Sequence, residues 1–156
     1  MEAERSNIAV CGAGACGPET VELARRVGEG LAKAGAVLVC GGLGGVMEAA
    51  CRGAWEAGGL TVGILPGPRI RDANPFVKAA LATNMGEARN AVIIHSADAV
   101  IAISGGYGTL SEIALARKAG KPVVSLQSWE IAPDIIKAAD PEEAVKLALE
   151  QTGKAK

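Results

Sequence analysis

Asn7-Ile8-Ala9-Val10-Cys11-Gly12-Ala13-Gly14-Ala15-Cys16-Gly17-Pro18 is the stretch on which the reading of the fold turns. An unbroken apolar run opens it, the pattern of a strand buried on both faces. Three glycines follow, and Pro18 suits the first turn of a helix, with Glu19 and Glu22 near its positive end and Gly35 as its stop. The spacing predicts a helix over 18–34, with Ala24, Val27, Leu31 and Ala34 as the stripe that packs on a sheet.

The same strand–turn–helix unit recurs along the chain. Val37-Leu38-Val39-Cys40 reads as a strand before a helix over 46–57, whose Met47, Ala50, Cys51 and Ala54 share one face. Thr61-Val62-Gly63-Ile64 is a third strand, followed by an irregular stretch over 65–75 that carries Arg69, Arg71 and Asp72 in a solvated loop. Further strands are expected over 80–84, 99–103 and 123–126, and helices over 87–96, 109–119 and from Pro141 to Gln151. Lys154-Ala155-Lys156 reads as a loose tail. Runs this continuous in Val, Ile and Leu are parallel strands, and their alternation with helices gives a doubly wound, mainly parallel α/β sheet with helices on both faces. The expectation is one Rossmann-like domain over 1–156, without linker or repeat.

Composition sets the limits. Of 156 residues 21 are Gly and 30 Ala, 49% are hydrophobic and 21% charged, which is enough apolar material for one core. Only Trp55, Phe76, Tyr107 and Trp129 are aromatic, too few for a base-stacking surface, and a net charge of −1 lacks the basic stripe that duplex binding needs. No nucleic-acid partner is expected. Nor is a membrane, because no apolar run approaches the ~20 residues that span one. Met1-Glu2-Ala3-Glu4-Arg5 is acidic and does not read as a secretory signal. Cys11, Cys16, Cys40 and Cys51 have neither metal-ligand spacing nor histidine neighbours, His95 being the only histidine. They read as reduced thiols of a cytoplasmic protein, with no metal site and no Cys/His dyad.

Chemistry is expected at three strand-to-helix turns: Gly12-Ala13-Gly14-Ala15-Cys16-Gly17, Gly41-Gly42-Leu43-Gly44-Gly45 and Gly105-Gly106-Tyr107-Gly108-Thr109. In a parallel sheet all three lie at the carboxyl edge, where glycine lets a ligand approach the backbone and free helix-start amides attract anions. Tight strand–helix packing is the competing explanation for any one of them. The first turn spells G-x-G-x-x-G, but the second strand ends Val39-Cys40-Gly41-Gly42 with no carboxylate for a ribose, which argues against the usual dinucleotide mode. Thr109-Leu110-Ser111-Glu112 fits a capping box, Thr109 as N-cap and Glu112 reaching back, while Glu112 also faces the cleft. Arg89 lies among Ala88, Ala91, Val92 and Ile94, so it need not point to bulk water.

Ser104-Gly105-Gly106-Tyr107-Gly108-Thr109-Leu110-Ser111-Glu112 resembles the P-G-G-x-G-T-x-x-E signature of the lonely-guy superfamily, many of whose members carry a "lysine decarboxylase" label. Gly41-Gly42-Leu43-Gly44-Gly45-Val46-Met47 resembles its second glycine loop, and Met85-Gly86-Glu87-Ala88-Arg89-Asn90 is similar to the short bacterial branch that includes molybdenum-cofactor carriers. That branch implies a Rossmann-like fold, a homo-oligomer (dimer or tetramer) and an anionic pterin ligand touching the glycine turns, Met85 and Asn90. The enzymatic branch implies phosphoribohydrolase action on a nucleoside 5′-monophosphate, with Glu112 acting on the ribose, Arg89 positioning it, and phosphate on Gly106, Gly108 and Thr109. The chain departs from the enzymes in carrying Asn90 where they have lysine, in one extra residue between Met85 and Arg89, and in Ser104 for proline at a strand end that accommodates either. No pyridoxal lysine motif is present, so decarboxylase chemistry is set aside. The expectation is a carrier for a phosphorylated pterin- or nucleotide-like molecule that requires no cofactor, its cargo a molybdenum cofactor or a nucleoside monophosphate. The alternative is hydrolysis of the N-glycosidic bond of AMP-like substrates.

Overall fold

Strands β1 (Asn7–Gly12), β2 (Val37–Cys40), β3 (Leu60–Leu65), β4 (Ala79–Ala82), β5 (Ala99–Ile103), β6 (Val123–Leu126) and β7 (Ile136–Lys137) form one sheet in the order β4-β3-β2-β1-β5-β6-β7. Every neighbouring pair is parallel, with Ile8 opposite Leu38 on one side of β1 and opposite Ala99 on the other. The helices are α1 (Pro18–Lys33), α2 (Val46–Glu56), α3 (Arg89–His95), α4 (Tyr107–Lys118) and α5 (Pro141–Gln151). The computed structural model describes residues 4–154. Lys154, expected in a loose tail, is instead held by Asp98 (3.2 Å) and Glu4 (3.1 Å). Residues 1–3 of the N-terminal reading and Ala155 and Lys156 lie outside the described residues.

Successive side chains of a strand point to opposite faces, and β1 shows what that does here. Ile8 and Val10 join Ala24, Val27 and Leu31 of α1, Ala50 of α2 and Ala144 of α5 in one core. Ala9 and Cys11 join Ile93 and Ile94 of α3 and Ile113 and Ala116 of α4 in the other. The doubly wound sheet read from the sequence is therefore present, fully parallel, with three helices on one face and two on the other.

Local differences have local causes. Ala34 is not in the α1 stripe: it is the exposed C-cap, and Gly28 takes the fourth buried place. β4 starts and ends earlier than expected, because Thr83 and Asn84 turn back to bond Leu65 and Gly67 carbonyls. A single 3-10 turn (Gly86–Ala88) replaces the first turn expected of α3. β7 escaped the sequence reading because two residues carry no periodicity.

α1 and α2 pack almost backbone to backbone. A methyl group on Gly28 would meet the Ala50 carbonyl, its carbon at 2.7 Å, and one on Gly53 would meet that of Arg25, its carbon at 2.8 Å. Alanine in place of a helical glycine ordinarily stabilises by about 1 kcal/mol. Here the added methyl meets backbone that cannot rotate away, and overpacking costs roughly 1–3 kcal/mol or more. Gly28→Ala and Gly53→Ala should therefore lower the urea midpoint. Gly30→Ala, which meets only the Val145 side chain at 3.0 Å, should leave it nearly unchanged or raise it.

Candidate functional site

The order of strands reverses at β1, which pairs with β2 on one side and β5 on the other. The crevice beyond the carboxyl ends of β1 and β5 is where open α/β sheets take their ligands. All three glycine turns follow strands of this central group, β2, β1 and β5. Two surface depressions, one around Glu130 to Lys137 and one around Arg5, Gly59 and Lys78, lie elsewhere.

The ten glycines of the turns divide into two groups. Gly12, Gly41, Gly42, Gly45 and Gly105 are required by the chain itself. A methyl on Gly41 would strike Arg89 Nη2 at 2.6 Å and Met47 Sδ at 2.9 Å, and one on Gly45 would strike Gly14 at 2.5 Å. Val46 N–H donates to the Ala13 carbonyl (2.9 Å), which locks the second turn onto the first. Gly14, Gly17, Gly106 and Gly108 have nothing within 4 Å of where a methyl would stand, and Gly44 has only Gly14 O at 3.5 Å. None of these five has a positive φ. Neither packing nor backbone geometry calls for glycine there, and together they keep the crevice open over the helix starts.

The third turn differs from the expected capping box. Gly106 is the N-cap of α4 and Tyr107 its first residue, so Thr109 lies inside the first turn and is buried. The first helical bond runs from Leu110 N–H to Gly106 O (3.0 Å), and the amides before it are the free donors of a helix start. Gly105, at φ 102°, wraps over Thr109, whose Cβ would lie 2.5 Å from an added methyl. Ser104 sits at φ 53°. Proline fixes φ near −65°, so this strand end does not accept the two residues alike: serine occupies it and proline cannot.

Released from capping, Glu112 stands in the second turn of α4, half-buried, and among the described residues its carboxylate has no hydrogen-bond partner. Burial raises this carboxyl to about 7, against the opposing pull of the Arg89 cation. Below it, burial and then the Glu112 charge hold the Cys11 thiol well above its usual range. Arg89 opens α3 and is itself buried. Its Nε donates to Ile64 O at the end of β3 (3.0 Å), its Nη2 to Gly41 O in the second turn (3.5 Å) and its Nη1 to Asn90 Oδ1. Burial lowers the guanidinium's affinity for its proton, and the charges of Glu112 and then Cys40 offset this only in part. Asn90, also buried, passes the connection on through Nδ2 to Ser111 Oγ of α4 (3.4 Å).

Of the residues singled out from sequence, Arg89, Asn90, Glu112 and the three turns thus converge. Met85, just before the 3-10 turn that leads into α3, is 48% exposed, and its amide donates to Thr83 Oγ1 (3.2 Å). Asn74 was missed. It is buried, its N–H donates to Gly42 O (2.8 Å), and its Nδ2 donates to Leu43 O (2.9 Å), so it hangs the proline-rich loop on the second turn. An asparagine directly before a proline is a turn signal that pointed to it. Arg69 stays in the loop, paired with Asp72 (3.2 Å). No group of three metal-ligating side chains occurs among the described residues, and no helix there is long and apolar enough to cross a membrane.

A doubly wound α/β domain with glycine turns gathered at its switch point is the class defined so far. The chain belongs to the SLOG cluster4 family, whose model matches residues 5–155. It is 50% identical over 148 residues to an uncharacterized protein of Archaeoglobus fulgidus, covering 94% of this chain and 97% of that one. A cytokinin riboside 5′-monophosphate phosphoribohydrolase of Mycobacterium tuberculosis is 34% identical over 129 residues, 76% of this chain and 68% of that protein. Among solved structures, the molybdenum cofactor binding protein of Rippkaea orientalis superposes with a TM-score of 0.88 at 36% identity, covering 96% of this chain and 98% of that one. The molybdenum cofactor carrier protein of Chlamydomonas reinhardtii gives 0.86 at 31% identity, over 96% and 99%. These likenesses agree with the lonely-guy resemblance read from the turns.

The raised carboxyl makes a signed prediction. Between the ordinary carboxylate range and about pH 7 the folded chain holds a proton on Glu112 that the unfolded chain has released. Stability therefore falls as pH rises through that window, by at most about 3 kcal/mol. Glu112→Gln should match the wild type at pH 4 and exceed it at pH 8, as read by chemical denaturation at each pH.

Proposed function

We propose that this chain is a binding and carrier protein for a phosphorylated pterin- or nucleotide-like molecule, of the molybdenum-cofactor carrier kind. The observation that carries the proposal is the set of five glycines, Gly14, Gly17, Gly44, Gly106 and Gly108, that the fold itself does not need. Bare backbone at three helix starts beside a switch point suits an anion, with phosphate on the amides of Gly106, Gly108 and Thr109. Neighbours named as binding or carrying the molybdenum cofactor match nearly end to end and support the pterin. Asn90 supports binding over turnover, because a neutral amide that holds Arg89 adds no second cation to the site. We further propose a cytoplasmic homo-oligomer, dimer or tetramer, to be sized by light scattering.

Calorimetry with neopterin monophosphate and with AMP tests the reading. At least one should bind, and Gly108→Ala should weaken it at least tenfold while leaving the fold as stable or slightly more so, since alanine narrows the unfolded ensemble. If neither molecule binds, the proposal fails.

One observation favours the phosphoribohydrolase alternative: a half-buried carboxyl near 7, free of protein partners and under the field of Arg89. Such a group can stabilise positive charge developing on ribose and exchange a proton with the attacking water or the leaving base. Incubation with AMP would then release adenine and ribose 5-phosphate, and Glu112→Gln would abolish it. Tight binding without release of base assigns the site to carriage.

A further inference from the structure

Four aromatic residues serve the whole chain, and two of them meet at the third glycine turn. Tyr107, the first residue of α4, is 83% exposed. Its ring stacks on that of Trp129, centroids 6.1 Å apart and planes 26° from parallel. Trp129 belongs to the segment after β6 and is fastened from two sides. Its indole N–H donates to Gly106 O (3.1 Å), and the preceding Ser128 donates through Oγ to Ser104 O (2.6 Å) and through its amide to Ser125 Oγ (3.1 Å). The indole also packs against the core shared by α3 and α4. One ring is thus anchored in the protein, and the other stands on it with its outer face bare.

A large apolar ring left in water has no structural return. The first residue of a helix requires no aromatic side chain, and tyrosine ranks low among helix formers. Tyr107 also lies between Gly106 and Gly108, two of the glycines the fold does not need. We infer that Tyr107 and Trp129 form a stacking platform for the planar heterocycle of the ligand whose phosphate lies on this turn. The inference rests on the proposed binding function and adds to it Trp129 and a division of labour. Backbone amides hold the anion, which any phosphate shares. The aromatic pair selects ligands that carry a flat ring, a pterin or a purine, because stacking rewards a π face irrespective of its hydrogen-bonding edge.

The test starts from Trp55→Phe, in which Trp129 is the only indole. Neopterin monophosphate and AMP are compared with ribose 5-phosphate, which has the phosphate and no ring. At least one ring-bearing phosphate should quench Trp129 emission and bind at least tenfold tighter than ribose 5-phosphate by calorimetry. Tyr107→Ala should remove most of that preference, a loss of about tenfold, and leave ribose 5-phosphate affinity unchanged. Tyr107→Phe should keep the preference and Tyr107→Leu, which keeps bulk but not the π face, should lose it. These variants leave the anchored indole in place, so the result does not depend on whether Trp129→Ala folds. Equal affinity of ring-bearing and ring-free phosphates, or a preference that survives Tyr107→Ala, overturns the platform while leaving phosphate binding standing. Absence of binding by all three overturns the binding function and the platform together. A Tyr107→Ala protein with altered oligomeric size and unaltered ligand preference assigns the pair to a subunit contact, which also overturns the platform.

Discussion

Arg89 spends its hydrogen bonds on the protein. One donor holds the end of β3, one the second glycine turn and one Asn90, which reaches α4 through Ser111. A guanidinium carries five N–H donors, so the three contacts to the chain leave two unspent. Removing a buried cation's partners typically costs several kcal/mol, because the desolvated charge is left uncompensated. The carboxyl edge of the sheet is therefore organised around this side chain: Gly41 must be glycine to admit it, and Glu112 titrates in its field. Arg89 is thus a positioning residue before it is anything else.

Glycine does two different things in the same turns. Where Gly12, Gly45 and Gly105 sit, the chain passes so close to itself that no side chain fits, and the turns become a rigid frame. Where Gly14, Gly106 and Gly108 sit, the same residue leaves space. Sequence alone cannot separate the two uses, since both spell Gly between a strand and a helix. The excess of glycine pointed to the correct edge of the sheet, but which residues hold the frame and which open it required the positions of neighbouring atoms.

That contrast explains what was legible. Strands β1, β2, β5 and β6 are short apolar runs bounded by turns, and such runs in alternation with amphipathic helices admit few topologies. The parallel sheet and the convergence of the three turns followed from them. The start of α4 was misread because Thr109 and Glu112 satisfy the spacing of a capping box, while Gly106 satisfies the cap by backbone conformation, which leaves no trace in spacing. Trp129 and Asn74 were missed because each acts through hydrogen bonds to a turn distant in sequence. Ser104 was read as an indifferent replacement for proline, and only its φ of 53° shows that the turn follows a path proline cannot take.

A signature nearly complete in sequence does not by itself carry the chemistry that goes with it. A neutral Asn90 beside Arg89 leaves the site with one buried cation facing one carboxyl that is only partly ionised at neutral pH. Catalysis requires interactions that strengthen in the transition state, whereas carriage requires only that a ligand be held and shielded. In the proposed binding function, bare amides, an open crevice and the Tyr107–Trp129 pair would supply the holding. A pinned guanidinium adds little that would strengthen as a glycosidic bond breaks, so any such gain would fall to the Glu112 carboxyl. On the proposed carrier reading the glycines and Arg89 hold and position the ligand, while Glu112 is the one retained group that turnover would also need.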